Sequence, residues 1–486
     1  MLSDVSLTFP DGAVTVILGA SGCGKSTLAA VMCGLYPENG GFLESGSVSI
    51  GDTDILQLPF GRRCRYIAAM FQNPDLQFCM GCLRDELYFC LENVSTPPED
   101  MDRLIREHAA EYGVEELLDR PFAMLSGGEK QKAALLCLMI LHPKVLVLDE
   151  PFANLDPDGT RGCLELLRRR IAEEQVTVIA IDHKASNWIG TADYFLPLDE
   201  NCHPAAAAEN GLIRAGDLPA HSGLLCELGI EDPFAPVIRK QVRIHAEETV
   251  LQLENVSVFH QKRTGGQAPQ LAGVTLQAGR GEMIACLGAS GSGKTTFLLS
   301  LLREKTHTGR ILLQGREIRS LRRRSLFASV GMVFQNPAIQ FVTTAVHREV
   351  EESLRLAKDC PTEELEKRVD VLLEEFRLRH YRRYSPFMLS QGQQRRLSVL
   401  TMLAGGQCLL LLDEPTYGQD ARTTAAVMRQ LEEAAVKGIT VIFTTHDRRL
   451  ARTYADRIWQ FADGRVSELT EEEESRLFAE SRGGAV

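Results

Sequence analysis

Short apolar runs recur along the chain in a strand-then-helix rhythm. Val14–Leu18 and Met283–Leu287 each lead straight into a glycine-rich segment, and an apolar helical stretch follows each one, at residues 28–35 and 297–302. Further runs at 145–148, 176–181, 408–412 and 440–444 are near-continuous in Val, Ile, Leu and other apolar residues. Runs this short, apolar at every position, predict strands buried on both faces. Their alternation with helical patterns predicts an α/β fold in which a mainly parallel sheet is covered by helices on both sides. Residues 83–118 and 345–378 are rich in Glu, Arg and Leu and predict a helical lobe inserted into each core.

The rhythm runs twice. GASGCGKST at residues 19–27 returns as GASGSGKTT at 288–296, and FQNPDLQF at 71–78 returns as FQNPAIQF at 334–341. LSGGEKQK at 125–132 answers to LSQGQQRR at 389–396, and VLVLDEP at 145–151 to LLLLDEP at 409–415. A solenoid would repeat every few tens of residues, so this spacing is a tandem domain duplication. The expected boundaries are a first domain at 1–234, a linker of mixed composition at 235–248, and a second domain at 249–486. The Ala-rich stretch 204–209 is expected to be an exposed turn or short helix. The acidic tail from 470 onward is expected to be a helix with little core and a frayed end.

Each copy carries the same candidate chemistry. Gly19, Ser21, Gly22, Cys23, Gly24, Lys25, Ser26 and Thr27 form one phosphate-binding loop. Gly288, Ser290, Gly291, Ser292, Gly293, Lys294, Thr295 and Thr296 form the other. Glycines let successive backbone N–H groups turn toward phosphate oxygens, and the helix that follows adds its positive end. Lys25 and Lys294 would reach the β- and γ-phosphates, and the Ser26 and Thr295 hydroxyls would bind Mg²⁺. Asp149 and Asp413 end apolar strands, where a carboxylate can share that ion, and Glu150 and Glu414 follow as candidates to polarise the attacking water. Gln72 and Gln335 are neutral amides placed to touch both Mg²⁺ and the water. His183 and His446, each at the end of a buried strand, would donate to the γ-phosphate. Ser126, Gly127, Gly128 and Glu129, and their counterparts Ser390, Gln391, Gly392 and Gln393, open helices and predict a second anion site in each copy.

Composition narrows the class. Among 486 residues, 53 Lys and Arg against 65 Asp and Glu leave a net charge of −12, which argues against a nucleic-acid binder. No apolar run is long enough for a bilayer span, and the first residues lack the features of a secretory signal. The 13 cysteines form no tight framework and read as reduced thiols.

Together these motifs resemble the ATP-binding-cassette ATPases, twice and over nearly the whole chain. The FQNP-x-x-Q element followed by Glu86 and Glu349 is most similar to the ATPase subunits of energy-coupling-factor importers, which take up vitamins, vitamin precursors, cobalt or nickel. The resemblance implies two P-loop NTPase domains paired head to tail, with ATP and Mg²⁺ as cofactors and Asp156 and Asp420 as coupling residues. It also implies integral-membrane partners, a T-type coupling subunit and an S-type substrate-binding subunit, and a peripheral place on the cytoplasmic face of the membrane. Nucleic acid is not an expected partner. Two rival readings stand beside it: a soluble tandem ATPase acting in translation or repair, and a fused sugar-importer ATPase.

Two departures from the family pattern stand out. The second copy has residues 254–260, with His260 or Phe259 available to stack on adenine, whereas the first copy has no matching strand or aromatic; either its start lies upstream or that cassette is truncated. Gln391 also replaces the usual first glycine of the signature. In a head-to-tail pair both departures fall in one composite site, which retains Lys25, Asp149, Glu150 and His183.

Overall fold

In the computed structural model the chain divides into two compact units, one spanning Met1–Ala235 and the other beginning at Pro236. The structure describes residues 2–36, 42–71, 74–152, 155, 157–206, 208–235, 237, 248–259, 268–357, 362–416 and 418–483. The expected linker lies almost wholly outside these residues.

The first unit is built on a six-stranded sheet. Across it the order is Ile67–Met70, Val145–Asp149, Thr177–Ile181, Val14–Leu18, Tyr194–Pro197 and Ile213–Arg214. All neighbours are parallel except the last pair. The strands Val14–Leu18, Val145–Asp149 and Thr177–Ile181 are buried at every residue, which is why they read as unbroken apolar runs. One face of the sheet packs on Ile17, Leu28, Met32 and Ile179. The other carries Val16, Leu146 and Val178 and continues into the helices Leu83–Asn93, Pro98–Glu111 and Gly127–Met139. The predicted lobe is therefore helical but shares one apolar core with the sheet.

The second unit repeats this sheet in the order Val330–Val333, Leu409–Leu412, Thr440–Thr445, Met283–Leu287, Arg457–Ala462 and Arg465–Glu468. Its lobe helices are Val346–Ala357 and Thr362–Glu375, and its signature helix is Gln391–Ala404. It adds a four-stranded antiparallel sheet of Leu271–Gly279, Thr249–Val258, His307–Leu313 and Arg316–Glu317. Among the described residues of the first unit, only the hairpin Ser49–Ile50 and Thr53–Asp54 corresponds to this sheet. There Leu2, Val5, Leu7 and Phe9 pack half-buried on the core without entering a strand.

One smaller expectation needs correcting. In the Ala-rich stretch Pro204 bridges to Leu198, Glu209 opens the short helix Glu209–Gly211, and Ala206 is buried rather than exposed. The tail forms the expected helix, Glu471–Gly483, while the end expected to fray lies outside the described residues. Thr470 and Glu473 close a reciprocal cap, with Thr470 N donating to Glu473 Oε2 at 2.8 Å and Glu473 N to Thr470 Oγ1 at 3.3 Å, and Leu477 packs on the core.

Candidate nucleotide-binding and hydrolysis sites

The same edge of each six-stranded sheet gathers the phosphate loop, the Asp–Glu pair and the histidine. In the first unit the strands that carry Asp149 and lead into the phosphate loop flank the strand that leads to His183, so three C-terminal strand ends meet there. Ligands of open parallel sheets bind at such an edge. Gly22 and Gly24 adopt φ of 86° and 108°, and Gly291 and Gly293 adopt 79° and 99°. Side chains disfavour these angles, so the loop geometry depends on glycine. Lys25 Nζ, on a buried side chain, donates to the carbonyls of Gly19 and Ala20 at 2.8 Å each. Lys294 Nζ does the same to Gly288 at 2.7 Å and Ala289 at 2.8 Å. Ser21, Gly22, Ser26 and Thr27 are exposed, as are Ser290, Gly291 and Thr295, whereas Thr296 is buried. Cys23 is buried with Sγ 3.9 Å from Lys25 Nζ, and the matching Ser292 is half-buried.

The Mg²⁺ donor sets fit a hard cation, because hydroxyl and carboxylate oxygens converge in each unit. Thr295 Oγ1 donates to Asp413 Oδ2 at 2.8 Å, and Ser26 hydrogen-bonds Asp149. Burial pushes both carboxyls above the usual carboxylate range, and these hydroxyl contacts pull them back. Glu150 and Glu414 take left-handed φ values of 50° and 48°. Non-glycine residues held there carry backbone strain of a kind that clusters at functional sites. His183 Nε2 lies 2.8 Å from Glu150 Oε1, and His446 Nδ1 lies 3.3 Å from Glu414 Oε1. The histidines therefore meet the glutamates through different ring nitrogens.

Ser126 and Ser390 cap their helices as predicted. Glu129 N donates to Ser126 Oγ at 3.3 Å and Gln393 N to Ser390 Oγ at 3.4 Å. The side chains of Glu129 and Gln393 close the box by accepting from the serine N–H groups at 2.7 and 3.0 Å. They are spent on the cap. Gly127 and Gly128 lie in the first turn of one helix, and Gln391 and Gly392 in the first turn of the other. Gln335 is exposed. Gln72, His260, Asp156 and the Gln391 side chain lie outside the described residues. Phe259 is buried in the second unit's core, so it is not presented for stacking.

Several supporting residues escape a reading of the sequence. Thr444 Oγ1 donates to Asp413 Oδ1 at 2.7 Å and accepts from Glu414 N at 2.9 Å, fixing the Asp–Glu turn. Buried Asp182 accepts from Lys184 N, Asn187 Nδ2 and Trp188 Nε1, which shapes the turn that carries His183. Arg395 is buried with its guanidinium on the carbonyls of Phe334 and Gln335, and burial lowers its pKa to about 10. Glu86 and Glu349, named from the sequence only through the family resemblance, fasten the chain after the FQNP-x-x-Q elements (the glutamine loops). Glu86 accepts from Cys79 N at 2.9 Å and Met80 N at 2.7 Å, and Glu349 from Val342 N at 2.8 Å and also from Thr343 N. A charge inside an apolar helical face, as at Arg395, was the available signal; Thr444 offered none.

The ABC transporter family matches residues 2–153 and 271–417. A candidate HMP/thiamine import ATP-binding protein of Bacillus subtilis is 33% identical, covering 94% of this chain and 86% of its own length. A candidate ABC transporter ATP-binding protein of Methanosarcina mazei is 34% identical, covering 96% and 85% respectively. Among solved structures, an archaeal ribosome recycling factor in complex with a ribosomal stalk protein superposes with a TM-score of 0.64. That match covers 99% of this chain and 90% of the other at 20% identity, and shows the shared fold alone.

Proposed function

Because the chain belongs to the ABC transporter family through both of its halves, we propose that it is the ATP-hydrolysing subunit of an importer of the energy-coupling-factor type. Its two cassettes bind ATP and couple hydrolysis to transport. The cargo of this reading is a vitamin, a vitamin precursor, or cobalt or nickel, selected by a separate membrane subunit. The import name carried by the Bacillus subtilis relative supports it.

In this mechanism Lys25 and Lys294 leave the loop carbonyls to neutralise the β- and γ-phosphates. Ser26, Asp149 and Gln72 in one unit, and Thr295, Asp413 and Gln335 in the other, would hold Mg²⁺, which would supply further charge neutralisation. Glu150 and Glu414 accept the proton of the attacking water. His183 and His446 orient those glutamates and donate to the γ-phosphate. ATP binding closes the cassette pair, hydrolysis reopens it, and the motion passes to membrane subunits at the cytoplasmic face.

The observation that carries the membrane-coupled reading is a duplicated exposed apolar residue. Leu76 is 85% exposed and Ile339, at the same place in the second glutamine loop, is 67% exposed. In each unit the loop is tied to the turn before the signature helix: Phe78 stacks on Phe122 at 3.8 Å, and Phe341 meets Phe387 edge-on at 6.1 Å. An exposed apolar residue repeated on a loop that packs against the turn before the signature helix is suited to a partner that must feel the nucleotide state. No helix among the described residues is long and apolar enough to cross a membrane. The test is membrane retention of the tagged chain in its own cells. The wild type should float with membranes, and Leu76→Asp with Ile339→Asp should release it without loss of ATP binding. Co-sedimentation with ribosomes instead, or unchanged retention of the double variant, would overturn the reading.

A further inference from the structure

The duplicated units differ in one place remote from the nucleotide loops. In the second unit a cavity of about 580 Å³ opens between the lobe helix Thr362–Glu375, the signature helix Gln391–Ala404 and the helix Ala421–Val436. Its floor is apolar, formed by Leu354, Leu372, Phe376 and Ile439. Five cations line it, Arg368, Arg377, Arg396, Arg429 and Lys437, against the two carboxylates Glu375 and Glu433. Gln430 adds an Oε1 atom that is buried without a hydrogen-bond partner.

The first unit fills the same space with its own side chains. The correspondence is set by backbone landmarks: Gly113 and Arg377, His142 and Gly406, and Gln175 and Gly438 all take positive φ at matching positions. On that register Leu372, Phe376, Gly406, Glu433 and Lys437 replace His108, Tyr112, His142, Arg170 and Glu174. In the first unit Arg170 donates to Glu111 Oε2 at 2.7 Å, to Glu174 Oε1 at 2.5 Å and to His108 Nδ1 at 3.0 Å. The His142 ring lies 5.6 Å from that of His108. A plug with its charges paired internally has become, in the second unit, an opening with its charges reversed and its large polar groups removed. An apolar floor of this size with an excess of guanidinium forks suits a ligand with an apolar body and one anionic group.

We propose that the second cassette carries a ligand site, separate from its nucleotide site, that takes a small organic anion with an apolar or aromatic body. Such an occupant would brace the signature helix, through Arg396 and Leu403, against the helix that carries Arg429 and Gln430.

The full-length chain is titrated with 8-anilino-1-naphthalenesulfonate, an aromatic anion whose fluorescence rises in apolar surroundings, and with its uncharged parent N-phenyl-1-naphthylamine. The expected result is one saturable site for the sulfonate that Mg-ATP does not compete for, with the neutral probe at least about tenfold weaker. Arg429→Glu with Lys437→Glu, both exposed positions, should weaken the sulfonate at least about tenfold. Ala426→Trp should block it by filling the cavity. Thermal unfolding checks that these variants fold. The proposal is overturned by absence of a saturable site, by competition from Mg-ATP, by equal binding of the two probes, or by affinity that neither set of substitutions changes.

Discussion

Replacing Arg170 with Leu should unseat the first unit's lobe from its core by a predictable amount. The guanidinium is only 10% exposed and serves Glu111 and Glu174, which are 23% and 27% exposed. Removing one partner of a fully buried ion pair costs about 3–5 kcal/mol, because the other charge is left stranded. Here the stranded carboxylates keep a quarter of their exposure and can partly rehydrate, so a loss of about 2–3 kcal/mol is expected. The pH dependence is a stricter check. Burial, and then the neighbouring Arg170, hold the His108 imidazole below its usual pKa. The unfolded wild type therefore takes up a proton before the folded form does, and wild-type stability falls as pH drops through about 6.5. Without Arg170, His108 keeps Glu111 at 3.6 Å and loses its cationic neighbour, so its folded pKa rises and this acid penalty shrinks. The gap between variant and wild type should narrow from pH 8 to pH 5.5. The chain has two tryptophans, and Trp188, fully buried in the first unit, reports on that unit alone in a Trp459→Phe background. With a urea slope of about 2–3 kcal/mol/M, the midpoint should move by about 1 M at pH 8. A shift under about 0.3 M, or a gap that widens at pH 5.5, would refute the reasoning.

Glu150→Gln and Glu414→Gln should each slow hydrolysis in their own cassette by at least about a hundredfold while ATP still binds; steady-state ATPase of the double variant near the wild-type rate would end the assignment. Alkylation of Cys23 by N-ethylmaleimide should be slow, because the thiol is buried, and should abolish nucleotide binding in the first cassette only, where the second has Ser292. Mg-ATP should protect it, and equal labelling with and without nucleotide, read by mass spectrometry, would contradict this. Glu86→Ala and Glu349→Ala should each free two backbone N–H groups at a cost of about 1–3 kcal/mol per group. The change should appear as faster amide hydrogen exchange at Cys79 and Met80, and at Val342 and Thr343; unchanged exchange would show that the carboxylates do not hold the loop.

The buried strands and the motifs of the candidate site were legible in the sequence for one reason: both depend on local patterns. Val145–Asp149 must be apolar throughout because helices cover both of its faces, and a phosphate loop needs its glycines at fixed intervals. Boundaries moved by a residue where hydrogen bonding decides, as at Thr177 and Thr445, which open and close their strands against neighbours distant in the chain. The supports of the site were not legible. Thr444 looks like any strand threonine until Asp413 and Glu414 are folded against it. Glu129 and Gln393 sit in a motif expected to face phosphate, yet their side chains close helix caps. The charge reversals at Glu433 and Lys437 gain meaning only when the three helices Thr362–Glu375, Gln391–Ala404 and Ala421–Val436 enclose one space.

Equal motifs do not make equal machines. The first unit holds Glu150 through a backbone bond to the Ile181 carbonyl at 2.8 Å and a short contact to His183. The second holds Glu414 through the Thr444 hydroxyl, which also binds Asp413, and through a longer contact to His446. A hydroxyl that ties Glu414 to Asp413 makes their positions interdependent, whereas a backbone carbonyl fixes Glu150 without Asp149. The same division recurs farther out, where one unit pairs Arg170 with its own carboxylates and the other leaves a lined cavity. In both places the groups that would meet the nucleotide are retained in both copies, and the groups that hold or adjust them differ. Duplication has therefore left two cassettes with one set of candidate nucleotide-site residues and two ways of holding it.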